Sequence, residues 1–464
     1  MQNKHILIVL KLGSFFGYIE SIIKELKLNN KVTLCIQDNN KTNSSNYYID
    51  SKNNSLILEN INLNKKVILA KESHNLKIIN GVERKDSWIK LLRIIRETLN
   101  YISYLIRGDK NTFFKNQSKY VSKKIIIFLN IIRFKIILKS IYYFLKIIHS
   151  LIPSSNDIKK FIKDIDPDLV LVVGANWPTR NKKFSSEIDF IKASKEIRKP
   201  SVLHVISWDN LIARGLYHYT PSAMFVWNKT HFDEAINVQK IPKKNLRIIG
   251  APFMDKWFED IKIPPRKDFL KSIGMDINKP LVTYLGSAKN ISTSEKEIVE
   301  EIYEKLSKMN IQLLVRPHGA NTSQFKNLNK KIKKFPAKGE LPDTLEAKEF
   351  MIATLKYSDF SVGINTTAMI DSIILGTPCI SIIKKEFKYN QLDTPHFNKV
   401  QKEGIFIEAK NVNEIINKIL EFNDNKNLFE KMHKFVIEFC RPFGTDVSAG
   451  KKAAKEIEKL IENK

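Results

Sequence analysis

The sequence has 464 residues with 77 Lys and Arg against 49 Asp and Glu, a formal charge of +28, and at ~100–200 residues per domain this length accommodates two or three domains. A content of 43% hydrophobic and 10% aromatic residues excludes a disordered chain or a collagen-like fibre. Its three cysteines, Cys35, Cys379 and Cys440, form no Cys-x-x-Cys pair, which excludes a disulfide framework and a cysteine zinc site and fits a reducing compartment.

The opening residues have a basic tip and an apolar run, but the run meets Lys11 and no small-residue cleavage site follows, so Ile6–Leu10 reads as a buried strand and not as a signal peptide. No window of ~18 uncharged apolar residues occurs, and no transmembrane helix is expected. A loop over Lys11–Gly17, a helix over Tyr18–Leu28 and a strand over Lys31–Ile36 complete a βαβ start. Gly13 and Gly17 do not make Gly-x-Gly-x-x-Gly, which argues against a nicotinamide site. The asparagine-rich stretch Asp38–Asn54 reads as loop.

Trp88–Ile152 reads as helical and basic, and within it Lys135, Lys139 and Lys146 edge a wide apolar stripe. Two arrangements satisfy that pattern: a helix lying on an anionic membrane surface, or one packed on its own domain with its lysines outside. Continuous apolar strands follow over Asp166–Gly174 and Ser201–Ile206, with shorter ones over Ala223–Trp227 and Asn245–Gly250 and a helix over Ser186–Ile197. Ile261–Arg266 reads as a linker. A second α/β series then runs through strands at Lys279–Gly286, Ile311–Val315, Phe360–Gly363 and Pro378–Ile383, helices at Glu295–Met309 and Ala368–Leu375, and a last helix over Gly450–Asn463. Strands alternating with helices predict two doubly wound α/β halves with a cleft between them.

In such sheets ligands bind where strands end and helices begin, because free backbone N–H groups and the helix dipole collect there. Asn365 or Thr366 can cap the helix that follows Gly363, leaving amides to hold a phosphate, or the cap can be all there is. Arg316 and His318 follow a buried strand and suit phosphate recognition, the alternative being an arginine that ties down its loop. Gly286 and Ser287 end the first strand of this half and let a ligand approach the backbone. In the first half Gly13, Ser14 and Gly17, and Trp208, Asp209 and Asn210, also follow strands. Asp209 has two readings, general base and cap of the next helix.

Taken together, Ser207-Trp-Asp-Asn-Leu, Val226-Trp-Asn, Gly250-Ala-Pro-Phe, Val315-Arg-Pro-His, Gly363-Ile-Asn-Thr-Thr-Ala-Met-Ile-Asp and Thr394-Pro-His-Phe resemble the GT-B glycosyltransferases, in particular a bacterial branch near capsule and lipopolysaccharide enzymes. The resemblance runs from Ile6 to about Pro442. It implies two Rossmann-like domains: residues 1–260 for the acceptor, with the helical segment 88–152 inserted, and 261–440 for a nucleotide-sugar donor, with 441–464 packing back toward the first. It further implies that Arg316 and His318 bind donor phosphates, although Gly319 stands where related enzymes have a second proline. Asn365, Thr366 and Thr367 match a phosphate-contacting helix start. Asp371 falls where a longer glutamate often reaches the ribose, and Glu386, Gln391 and His396 touch the sugar or the base.

These readings predict a glycosyltransferase with a nucleotide-sugar co-substrate and no other cofactor, acting on a glycan or glycolipid acceptor in the cytoplasm, either free or peripheral on the inner face of the membrane. The resemblance also implies that helix dipoles and basic side chains, not a metal, stabilise the leaving diphosphate, so no essential metal is expected. The alternatives are a teichoic-acid-type polyol-phosphate transferase, a sugar-nucleotide epimerase of the same fold, and a non-catalytic basic adaptor. The adaptor would explain the charge directly, but the charge is spread along the chain and no nucleic-acid-binding motif accompanies it, so no nucleic-acid partner is expected.

Overall fold

A computed structural model describes residues 3–38, 47–50, 52–60, 65–132, 134–176, 185–337, 339–422 and 425–462. The chain divides into two units, one of Met1–Asp255 with Phe439–Lys464 and one of Lys256–Glu438.

The strands of the first unit are β1 (His5–Leu12), β2 (Lys31–Asp38), β3 (Tyr47–Asp50), β4 (Ser55–Asn60), β5 (Lys65–Lys71), β6 (Leu76–Asn80), β7 (Leu169–Val173), β8 (Ser201–His204), β9 (Ala223–Val226) and β10 (Leu246–Ile248). Seven of them form a parallel sheet in the order β10-β9-β8-β7-β1-β2-β6. Central parallel strands are covered on both faces and therefore run apolar throughout. Accordingly Ile6, Ile8 and Leu10 of β1 face one cluster, Leu7 and Val9 the other, and all five are fully buried.

The loop expected over Asp38–Asn54 is corrected in part. β2 extends to Asp38, and Tyr47–Asp50 is a strand in an antiparallel sheet with β4 and β5; residues 39–46 and 51 lie outside those described. The Asn-rich composition hid a short β-prone Tyr-Tyr-Ile run. Gly13 shows what that strand packs on, since a Cβ there would lie 2.8 Å from Cβ of Tyr47.

The segment after β6 is helical, with helices Ile89–Arg107, Thr112–Ser118, Lys123–Ile131 and Lys135–Leu151. Their shared cluster contains Leu92, Leu99, Ile102, Leu138 and Tyr142. The long helix is tied to the sheet layer through a buried charge cluster: Arg96 grips Asp189 through both carboxylate oxygens at 2.9 and 3.0 Å, and Arg84 Nη1 reaches the same carboxylate at 3.0 Å. Arg96 Nε also donates to His149 Nε2 at 3.0 Å. Burial and the neighbouring Arg96 guanidinium hold the His149 ring down near 2, so it is a neutral acceptor.

The last helix, Ala449–Glu462, packs on the helix Glu20–Leu26 so closely that a Cβ on Gly450 would meet the Ser21 backbone at 2.5 Å. Its first turn is held by Asp255, whose carboxylate accepts the N–H groups of Ala449 and Gly450 at 3.0 and 2.9 Å and pairs with Arg441 at 3.0 Å. A carboxylate satisfies the free N–H groups of a helix start and complements its dipole.

The second unit has strands β11 (Leu281–Leu285), β12 (Gln312–Arg316), β13 (Lys333–Lys334), β14 (Phe360–Gly363), β15 (Cys379–Ile382) and β16 (Phe406–Ala409), all parallel, in the order β13-β12-β11-β14-β15-β16. Val282, Tyr284, Leu313 and Val315 pack on one face, with the helices Lys296–Lys308 and Val412–Leu420. Leu281 and Leu314 pack on the other, with Phe269, Leu270 and Ala353 of the helices Arg266–Ser272 and Leu345–Lys356. Both units are thus doubly wound, Rossmann-like layers of helix, parallel sheet and helix.

Candidate functional site

In an open parallel sheet the loops diverge where strand order reverses, and a ligand fits into that crevice at the carboxyl ends of the strands. In the second unit the reversal lies between β11 and β14, with β12 on one side and β15 on the other. The residues singled out from sequence cluster on these strand ends. Gly286 follows β11, and a Cβ there would meet the Arg316 carbonyl and the His318 nitrogen at 3.2 Å, so the two loops pass each other directly. Gly286 N–H donates to the Arg316 carbonyl at 2.9 Å.

Arg316 is buried at the end of β12. Its Nη2 donates to the Glu340 carbonyl at 2.9 Å, while Nη1 has no hydrogen-bond partner among the described residues. Burial pulls its guanidinium down to about 10, against the attraction of Glu340 and Asp371. A buried guanidinium with donors to spare is unfavourable alone and is relieved by an incoming anion. His318 is half-buried, and its Nδ1 accepts the Ala320 N–H at 3.1 Å. Burial lowers its pKa, so the ring is neutral at pH 7 and carries its proton on Nε2 as a donor.

On the other side of the reversal, β14 leads through Asn365 and Thr366 into the helix Thr367–Ile374. Thr366 occupies the cap position in extended conformation and makes no capping bond, and Thr366 and Thr367 are half-buried. Uncapped N–H groups at a helix start form an anion site when a cation stands near. Asn365 itself is turned to a framework role, its Nδ2 donating to the Asn390 carbonyl at 2.7 Å. Asn390 Nδ2 donates in turn to the Ile291 carbonyl at 2.8 Å, and Asn321 Nδ2 to the Ser287 and Ser292 carbonyls at 2.9 Å each. The loops after β11, β12, β14 and β15 are therefore stitched together.

Ser287 is held by Glu295, whose carboxylate accepts the Ser287 N–H at 3.1 and 3.3 Å and the Tyr284 hydroxyl at 2.8 Å. Burial pushes the Glu295 carboxyl up to about 7 despite those donors. Asp371, in the second turn of the helix Thr367–Ile374, is buried and accepts the Trp257 indole N–H at 2.9 Å. Burial raises it to about 6, opposed by Lys256, Trp257 and Arg316. Gln391 is fully buried and donates to the Ile364 and Ile382 carbonyls at 2.6 and 2.9 Å, spanning the ends of β14 and β15. His396 is buried in the first turn of the helix Pro395–Lys402. Glu386 stands apart, exposed and 3.5 Å from Lys384.

The first unit reverses its strand order between β1 and β7. Gly13, Ser14 and Gly17 form the short turn Gly13–Tyr18 after β1. Trp208, Asp209 and Asn210 follow β8, one strand further out. Asp209 accepts the Ser207 hydroxyl, lies 3.7 Å from Arg214, and makes no capping bond to the helix Asn210–Ala213. Asn210 is committed internally: Oδ1 accepts the Ile206 N–H at 3.1 Å and Nδ2 donates to Asn176 at 2.9 Å. Trp208 is buried, its carbonyl 3.1 Å from His231 Nε2.

Sequence reading missed the small pocket at the β7 end of this reversal, lined by Arg93, Asn100, Asn176, Ser185 and His218 among others. The signal was present in Gly174-Ala-Asn176, a polar end to an apolar strand. Glu295, Asn321 and Asn390, which fix the loops of the second unit, carried no motif.

The sequence matches no protein-family model, and no curated protein matches it. Solved structures match it over essentially its whole length. UDP-GlcNAc 2-epimerase of Methanocaldococcus jannaschii is similar at 14% identity and TM-score 0.53, covering 99% of this chain and 100% of its own. UDP-GlcNAc 2-epimerase of Neisseria meningitidis bound to UDP-GlcNAc is similar at 12% identity and TM-score 0.52, covering 100% of both chains. A glycosyltransferase of Rickettsia africae is similar at 11% identity and TM-score 0.50, also covering 100% of both. At these identities the likeness shows the fold alone, and that fold is GT-B.

Proposed function

We propose that the second unit binds the diphosphate of a nucleotide sugar and that the chain is a glycosyltransferase, moving the sugar to a surface-polysaccharide or glycolipid acceptor. The observation that carries the reading is the pairing, at one strand reversal, of an uncapped helix start at Thr366–Thr367 with a buried, under-used Arg316. In this reading the helix N–H groups and Arg316 neutralise the phosphates, and Nε2–H of His318 donates to the same group. Their fixed dipoles stabilise the charge that develops on the leaving diphosphate. Asp371, close enough to Arg316 to act on its charge, steadies that guanidinium. Asp209 is offered as the acceptor-side base, with Ser207 and Arg214 orienting its carboxylate. Metal independence belongs to the proposal, because the helix N–H groups and the Arg316 guanidinium supply the positive charge that the leaving diphosphate needs.

A second reading, a sugar-nucleotide epimerase, is favoured by the UDP-GlcNAc 2-epimerases among the structures of this fold. Incubating the purified protein with a panel of UDP-, GDP-, CDP- and CMP-sugars separates the two. Release of nucleotide coupled to a glycosylated acceptor supports the transferase. A free epimerised nucleotide sugar without acceptor supports the epimerase, and no turnover or binding of any donor refutes both.

A further inference from the structure

The helix Lys135–Leu151 is apolar on two opposite faces. One face, through Leu138 and Tyr142, packs into the cluster it shares with the helix Ile89–Arg107. The other presents Ile136, Tyr143, Phe144, Ile147 and Leu151, all exposed, Ile136 and Leu151 at 79% and 76%. Before it, Ile131 and Phe134 are each 74% exposed, and Ile127 and Phe128 of the helix Lys123–Ile131 are exposed as well. A helix merely packed on its own domain turns polar residues outward. A contiguous apolar surface of this kind marks an interaction site.

The charge around the patch selects its occupant. Residues 123–152 contain five Lys and one Arg and no Asp or Glu. Lys123, Lys124, Lys135 and Lys139 are exposed. At ~100° per residue, Lys135 and Lys139 fall on one edge of the apolar face of their helix. We propose that the outer face of the helix Lys135–Leu151, with the exposed side chains that precede it, lies on an anionic lipid surface, its apolar side chains entering the boundary between headgroups and acyl chains and its lysines meeting lipid phosphates. A second copy of this chain fits less well, since pairing like faces would set lysine edges of one sign together. Crossing the bilayer fits less well too. At ~1.5 Å per residue the 17-residue helix is ~25 Å long against a ~30 Å hydrocarbon core. The helix Asn156–Ile165, which follows after a bend of 57°, has Ile158 and Ile162 in the sheet core. This inference rests on the surface alone and is independent of the nucleotide-sugar reading.

Flotation of the full chain with vesicles tests it, comparing phosphatidylcholine alone with phosphatidylcholine containing phosphatidylglycerol, each at low salt and at ~0.5 M NaCl. The expected result is binding to the anionic vesicles, weakened by salt. Phe144→Ser/Ile147→Ser and Lys135→Glu/Lys139→Glu are each expected to lower it by ~10-fold or more. All four positions are on the surface, and circular dichroism with urea denaturation in the absence of vesicles shows that the variants are folded. Failure of the wild-type protein to float, or flotation unchanged in both variants, overturns the proposal. So does a concentration-dependent dimer that Phe144→Ser/Ile147→Ser dissociates without any vesicle binding.

Discussion

The two sheets reverse strand order in the same way, at β1/β7 in the first unit and β11/β14 in the second, but the polar groups at the two points are used differently. In the first, they mostly satisfy one another: Asn176 and Asn210 exchange hydrogen bonds, Asn176 also holds the Gly215 carbonyl, and Arg84 and Arg96 share Asp189. In the second, side-chain amides secure the loops while a helix start and a guanidinium edge are left over. Polar groups spent on each other stabilise a fold; polar groups left over beside one another bind a ligand.

The contrast predicts opposite consequences for charge removal. Asp189→Ala strands two buried guanidiniums and is expected to lower unfolding stability by ~3–5 kcal/mol, read by urea denaturation, with nucleotide affinity unchanged in the remaining folded protein. Arg316→Ala removes a buried, incompletely bonded charge and is expected to leave the melting temperature within a few degrees while weakening nucleotide-diphosphate binding ~10–100-fold. Arg316→Lys should recover little of that, since a point charge does not replace the planar fork.

Glu295 supplies a pH test on the same loops. Its carboxyl is near 4.5 when unfolded and about 7 when folded, so the folded protein binds the extra proton between those values. Stability from this group is present below about 4.5 and is lost as pH rises through about 7. Glu295→Gln should flatten that decline, by on the order of 2 kcal/mol between the two limits, in melting curves taken from pH 5 to pH 8. The smallest expected effect is that of a chelator: EDTA should leave turnover unchanged, and loss of activity restored by Mg²⁺ or Mn²⁺ would contradict the metal-independent reading.

Much of the architecture was legible because parallel strands advertise themselves. Ile6–Leu10 and Leu169–Val173 are apolar without alternation, which few other settings permit, and Leu281–Leu285 is buried throughout with Thr283 as its one interruption. β3 was not legible, because four strand residues sat at the edge of an asparagine-rich stretch. Candidate residues at strand ends could be placed from sequence, and Gly286, Arg316, His318 and Thr366 do come to one sheet edge. What composition cannot convey is how each polar group is spent. Asn365, Gln391 and Asn210 read as ligand contacts, and all three make hydrogen bonds that hold backbone in place. The outer face of Lys135–Leu151 was equally open on pattern alone, since an apolar stripe does not say which part of it the domain covers.

The most direct test of the account is calorimetric titration of the wild-type protein and Arg316→Ala with UDP, GDP, CDP and CMP. Saturable binding of at least one of them to the wild type is expected, with affinity reduced ~10–100-fold in Arg316→Ala while the melting temperature stays within a few degrees. Equal affinity in the two proteins, or no binding of any nucleotide to a folded wild type, would contradict it.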